Sequence, residues 1–149
     1  MPTKSDLIKS RKRVKDHGEV YTPPHIVKDM CDLLPAEMWK TPFKTFLEPC
    51  CGNGNFLVEI LDRKYKACQN AKDGLKALVS VVGIDILPDN VQESRARLLK
   101  QFCERFEPNE AVILLASGIL ENNIICGDSL KIMKEWEEEH EAVKAIASR

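Results

Sequence analysis

The residues of this chain that could do chemistry are acids and glycines placed at the ends of apolar runs. Thr45-Phe46-Leu47-Glu48 ends in a carboxylate and leads through Pro49 and Cys50 into Cys51-Gly52-Asn53-Gly54-Asn55-Phe56. Leu78-Val79-Ser80-Val81-Val82-Gly83-Ile84 ends in Asp85, and Asn123-Ile124-Ile125-Cys126 ends in Gly127-Asp128. Glycines in a turn after a strand remove the Cβ atoms that would hold a ligand off the backbone. An ionised acid after the next strand accepts only, so it can take both hydroxyl protons of a ribose. Glycines and strand-end acids in this register lead to an expected ligand of adenosine type, whereas the glycines alone would be ordinary turn residues.

These groups meet only if the elements around them alternate. His17-Gly18-Glu19-Val20-Tyr21-Thr22-Pro23-Pro24 is a loop, because its two prolines bar helix and ladder alike. Helical spacing of Ile26, Val27, Met30, Leu33 and Leu34 predicts a helix from His25 that stops at Pro35. Thr45 to Glu48 reads as a first strand, followed by a helix from Phe56 to about Asn70. Asp73-Gly74 reads as a turn that breaks the chain. The β-branched run Leu78–Ile84 reads as a buried parallel strand, and Asp89 or Asn90 as the cap of a helix carrying Val91, Leu98, Leu99 and Phe102. Ala111 to Leu120 leans to a helix broken at Gly118, Asn123 to Cys126 to a third strand, and everything from Ser129 to one last helix. The expected fold is therefore α/β: a partial doubly wound, Rossmann-like parallel sheet of about three strands with flanking helices. Such sheets bind ligands beyond the carboxyl ends of their strands.

The glycines discriminate between adenosine ligands. A dinucleotide site needs G-x-G-x-x-G and an acid about 20 residues on. Here Asn55-Phe56-Leu57 stands where the third glycine belongs, and Asp85 follows Gly54 by 31 residues. Glu48 would repel a pyrophosphate but favour the ammonium and sulfonium of S-adenosylmethionine, and no G-K-[ST] comes after it to make a phosphate loop.

Phe46-Leu47-Glu48-Pro49-Cys50-Cys51-Gly52-Asn53-Gly54-Asn55-Phe56 resembles motif I of the class I S-adenosylmethionine-dependent DNA adenine-N6 methyltransferases. Gly18-Glu19-Val20-Tyr21-Thr22-Pro23-Pro24 resembles their motif X, Val82-Gly83-Ile84-Asp85-Ile86 motif II, and Asn123 to Leu130 motif III. The resemblance covers Gly18 to Leu130, in the family's order, and it is shared by type I, type III and restriction-fused enzymes. It implies S-adenosylmethionine as cofactor. Tyr21, Thr22 and Pro23 would close over the methionine end. Glu48, Pro49, Cys50, Gly52, Asn53, Gly54 and Phe56 would form the turn that holds the amino-acid part. Asp85 would take the ribose and Ile86 the adenine face, and Asp128, with Ser129 and Leu130, the adenine amino group. It also implies DNA as partner, where enzymes of this family flip the target base out of the duplex.

The departure from the pattern comes after the third strand. The catalytic [D/N/S]-P-P-[Y/F/W] loop of the family is absent from these 149 residues; Thr22-Pro23-Pro24-His25 is the nearest string, and it precedes motif I and lacks the aromatic. No catalytic residue is assigned, and no fourth strand or target-recognition segment is found. The expectation is the cofactor-binding part of a DNA methyltransferase, inactive alone, with strand one lacking a neighbour on its second edge. A homo-oligomer or a second chain would cover that edge. The alternative is a stand-alone cofactor-binding or anti-restriction module.

Bulk properties agree with a small globular unit: 44% hydrophobic, 30% charged, net charge -1. Three segments are expected: a basic arm over 1–16, the cofactor domain over 17–130 and an acidic helix over 131–149. Residues 1–17 hold six Lys/Arg against two acids, and Lys134 to Arg149 five Glu against three basic residues. Lys9, Arg11, Lys12, Arg13 and Lys15 are candidate phosphate contacts, the other reading being a solvated helix. Six cysteines form no C-x-x-C, so no metal site is expected and a reducing cytoplasm is. Without a signal peptide or an apolar run of ~18 residues, no membrane association is expected.

Overall fold

The computed structural model describes residues 7–147; Lys4 of the basic arm and Ser148 and Arg149 of the acidic tail lie outside the described residues. The elements run α1 (Arg11–His17), α2 (Pro24–Asp32), a 3-10 turn (Ala36–Trp39), β1 (Phe46–Glu48), α3 (Asn55–Tyr65), α4 (Ala71–Val79), β2 (Val81–Asp85), α5 (Pro88–Phe106), α6 (Glu110–Asn123), β3 (Ile124–Cys126) and α7 (Ser129–Ala147). The strands form one parallel sheet in the order β1-β2-β3, with Glu48 opposite Gly83 and Asp85 opposite Cys126. The expected α/β fold, a partial doubly wound sheet flanked by helices, is the one observed.

The pleat sends alternate residues to opposite faces. Phe46, Val81, Gly83 and Ile124 share the face that carries the core, where a Cβ on Gly83 would stand 2.7 Å from Leu57 of α3. Residues of α2 through α6 complete that core, among them Val27, Leu57, Leu61, Leu78, Leu98, Phe102 and Leu120. Leu47, Val82, Ile84 and Ile125 lie on the other face. There Ile84 is buried outside the main core, Val82 and Ile125 are half-buried and Leu47 is exposed. No described element pairs with the outer edge of β1.

Five local expectations are corrected. Asp73-Gly74 does not break the chain but lies inside α4, which Asn70 caps through Asp73 N–H at 3.1 Å. Gly74 is there because a Cβ would meet the Phe106 ring at 2.4 Å. Leu78 and Val79 end α4 instead of opening β2; the strand starts at Val81, after Ser80 closes the helix by donating to Ala77 O. Helix α5 begins at Pro88, a residue suited to the first helical position, so neither Asp89 nor Asn90 caps it. Helix α6 continues through Gly118, and α3 stops at Tyr65, short of Asn70.

Candidate functional site

The carboxyl ends of the three strands open into a cavity of about 760 Å³, within the size range usual for small-molecule sites. Glu48, Asp85 and Asp128 all line it, from three strand ends brought together by the parallel sheet. With them come Tyr21, Thr22, Pro49, Cys50, Gly52, Asn53, Phe56, Ile86, Ser129 and Leu130. Pro23 and Gly54, also expected at the site, do not line it. Pro23 precedes α2 as its N-cap residue, and Gly54 is buried at the start of α3.

The turn between β1 and α3 needs its glycines for packing as much as for ligand access. Gly52 and Gly54 have φ of +54° and +90°, a region L side chains rarely adopt. A Cβ on Gly54 would stand 2.8 Å from Ser94 Oγ of α5, and one on Gly52 would press on the Tyr21 ring at 3.3 Å. Ser94 donates to Gly52 O at 3.0 Å, and Arg97 to Asn53 O at 2.6 Å, so α5 clamps the turn from behind. Asn53 Oδ1 is buried without a hydrogen-bond partner among the described residues.

Asp85 is held from three directions. Oδ2 accepts from Gly52 N–H at 3.0 Å; Oδ1 accepts from Leu87 N–H at 2.9 Å and from Asn90 Nδ2 at 3.1 Å. A carboxylate offers about four lone-pair sites, so Oδ2 is the oxygen with room left for a ligand hydroxyl. Glu48 accepts from Cys50 N–H at 3.1 Å, and Asp128 from Leu130 N–H at 3.0 Å at the start of α7. The Cys51 thiol beneath the turn is pushed up to about 12 by burial and by the Asp85 charge, which keeps it neutral.

Sequence reasoning did not assign Glu19, Asn90, His17 or Met133 to the site, yet all four line the cavity. Glu19 lay within the proline-containing motif and carried a signal; Asn90 had none beyond its resemblance to a cap. The basic arm divides. Lys9 pairs with Asp89 at 3.0 Å and Glu93 at 2.7 Å, and Arg13 with Glu19 and Asp89, both at 2.6 Å. Burial alone would raise the Glu19 carboxyl, but bonds from Arg13 and Asn90 outweigh it and hold it below its ordinary value. Asp89 is held well below the usual carboxylate range, first by Arg13. Arg11, Lys12 and Lys15 are exposed.

The donor set fits a cationic adenosine ligand. The lining contains Glu19, Glu48, Asp85 and Asp128 but neither lysine nor arginine, which suits an ammonium and a sulfonium and leaves a pyrophosphate uncompensated. Exposed Ile86 offers an apolar surface for a base beside Asp85. Among the described residues no cluster has the composition of a metal site, and no helix is long and apolar enough to cross a membrane.

The profile of the N-6 DNA methylase family matches residues 8–97. A type II methyltransferase, M.VspI of Vibrio sp. (strain 343), is 31% identical over 126 residues, 85% of this chain and 24% of that protein. The chain therefore spans about a quarter of the relative's length. No solved structure matches significantly. With the family's match running from the arm through the glycine turn and Asp85 into α5, the chain belongs to the N-6 DNA methylase family.

Proposed function

We propose that this chain forms the S-adenosylmethionine-binding part of a DNA adenine-N6 methyltransferase of restriction-modification type, acting in the cytoplasm. The observation that carries the reading is the convergence of Glu48, Asp85 and Asp128 on one cavity lined by no lysine or arginine. Glu48 and the Gly52 turn would hold the amino-acid part, with Tyr21 and Thr22 above it; Asp85 would accept from the ribose, and Ile86 and Asp128 would face the adenine. When bound, the cofactor supplies an electrophilic methyl group on a sulfonium. The chain's own part is to orient that methyl and keep the site's charge negative. No residue here is assigned to deprotonate the target amine. Methyl transfer would draw that group, and the pocket for the flipped base, from polypeptide beyond this sequence.

Two surfaces bear on partners. Exposed Arg11, Lys12 and Lys15 are the arm residues available to DNA phosphates, because Lys9 and Arg13 are already paired with acids. The outer edge of β1 and the apolar face carrying Leu47, Val82 and Ile125 would be covered by a further segment, a second copy or another chain. A stand-alone cofactor-binding or anti-restriction role is the competing reading.

Titration calorimetry with S-adenosylmethionine, with a nicotinamide dinucleotide as control, tests the reading. Saturable binding of the first and none of the second is expected. Asp85→Asn, which removes the charge and one acceptor oxygen, should abolish it. Binding of the dinucleotide, or an unaltered affinity in Asp85→Asn, would refute the site. Transfer of a tritiated methyl group to DNA, with and without candidate partner chains, separates the methyltransferase reading from the stand-alone one.

A further inference from the structure

The most connected polar side chain among the described residues is not one of the strand-end acids but Asn90, near the start of α5. It is 1% exposed. Its Oδ1 accepts from Tyr21 OH at 2.8 Å, Lys9 Nζ at 3.0 Å and Arg13 at 3.3 Å. Its Nδ2 donates to Glu19 Oε1 at 2.6 Å and to Asp85 Oδ1 at 3.1 Å. An amide nitrogen has two protons and Asn90 spends both on carboxylates, one from the N-terminal loop and one from β2. Glu19 is fixed in turn by two prongs of Arg13, each at 2.6 Å.

Resting on the cofactor reading, we propose that Asn90 is the positioning residue of the ribose subsite, and that Arg13 and Glu19 of the N-terminal segment act on Asp85 through it. Asn90 and Leu87 N–H occupy Oδ1 and so leave Oδ2, which takes only the Gly52 N–H, with the greater acceptor capacity for a ligand. The same amide anchors Tyr21, whose ring lies against Gly52 of the turn. The arm's inward cations are thereby part of the ribose site without touching the ligand. Lys9 and Arg13 pair with the acids around that amide: Glu19, which shares Asn90 Nδ2 with Asp85, and Asp89 and Glu93 of α5.

The test compares S-adenosylhomocysteine with its 2′,3′-dideoxy analogue by calorimetry on the full 149-residue chain. The wild type should prefer the parent by about tenfold or more, the loss expected when a site's acceptor is left unpaired. Asn90→Asp keeps the acceptor toward Tyr21, Lys9 and Arg13 but removes both donors and sets a charge against Asp85 and Glu19. It should bring the two ligands within about threefold of each other. A purely structural role would weaken both ligands equally and leave their ratio unchanged. Arg13→Gln, at the surface end of the relay, should lower the preference about threefold, in line with a partly exposed ion pair, and it reports even if Asn90→Asp does not fold. A wild-type preference that survives in Arg13→Gln and in any folded Asn90→Asp overturns the proposal and leaves the cofactor reading standing. A wild type that binds neither ligand overturns both.

Discussion

The two ends of the β-sheet compensate charge in opposite ways. At the carboxyl end, Glu19, Asp85, Asp89, Lys9 and Arg13 form a mixed network joined by Asn90, in which every charge has partners of the other sign or amide donors. At the amino end a single cation, Lys64, is fully buried. Its Nζ donates to Pro42 O at 2.9 Å and Lys44 O at 2.6 Å and stands 5.1 Å from the Phe46 ring centroid. No acid pairs with Lys64 among the described residues, so burial pushes its ammonium down to about 8. The first arrangement suits a site that must keep polar groups poised for a ligand. The second is a structural pin that fixes the loop into β1, and it makes the amino end the more pH-sensitive. An aromatic cluster beside it, Tyr65, Phe102 and Phe106 with centroids 5.0–6.4 Å apart, supplies the apolar mass that the carboxyl end lacks.

The contrast can be broken most forcefully in the aromatic cluster. Phe102→Ala, at a site of zero exposure, should cost about 3–5 kcal/mol in denaturant unfolding. A loss below about 1 kcal/mol would mean that the cluster does not carry this end. Lys64→Met should then remove a specific pH dependence. The unfolded chain keeps this proton up to the ordinary lysine value of 10.5, whereas the folded chain releases it from about 8. In that window the unfolded state binds more protons, so raising the pH favours folding, by on the order of 2–3 kcal/mol across the window. The difference in stability between wild type and Lys64→Met isolates this from the buried thiols Cys31, Cys51 and Cys68, whose raised values act in the opposite direction. A flat difference from pH 8 to 10.5 would remove Lys64 as the source of the pH dependence.

Smaller effects test the carboxyl end and the helices behind it. If Arg11, Lys12 and Lys15 contact phosphates, DNA affinity should fall with salt with a slope of roughly −0.9 per phosphate contacted. Neutralising those three should flatten the slope more than neutralising Lys9 and Arg13. The reverse order would show that the inward pairs open on DNA. Two helix glycines give the smallest and sharpest pair. Gly118→Ala, with nothing within 4 Å of the new methyl, should stabilise the chain by about 0.5–1 kcal/mol through helix propensity alone. Gly74→Ala has the same propensity gain but meets Phe106 at 2.4 Å and Phe102 at 2.9 Å, so it should destabilise. Equal signs in thermal melts would contradict the packing around α4.

Much of the site was legible in the sequence because each of its pieces is local. A strand that ends in an acid, and a turn that needs two glycines at positive φ, are written in neighbouring residues, and parallel alternation of helices and strands carries all three acids to one edge. Two of the misreadings share one cause. Leu78-Val79 and Asp73-Gly74 have the composition of strand and turn, but the helix they join is stabilised by Asn70 at one end and by packing on Phe102 and Phe106 along its side. Asn90 looked like a cap because its type and position are those of one, while Pro88 had already started the helix.

The sequence by itself determined the order of the three strands, the glycine turn, and the placing of Glu48, Asp85 and Asp128 at strand ends, since propensity, capping and side-chain period act over a few residues. The tertiary structure alone decided which arm cations stay free for a partner, which glycine yields to an aromatic ring, and that one buried amide joins residues 19, 21 and 85. Those outcomes depend on distances between residues far apart in the chain, and no local pattern encodes a distance of that kind.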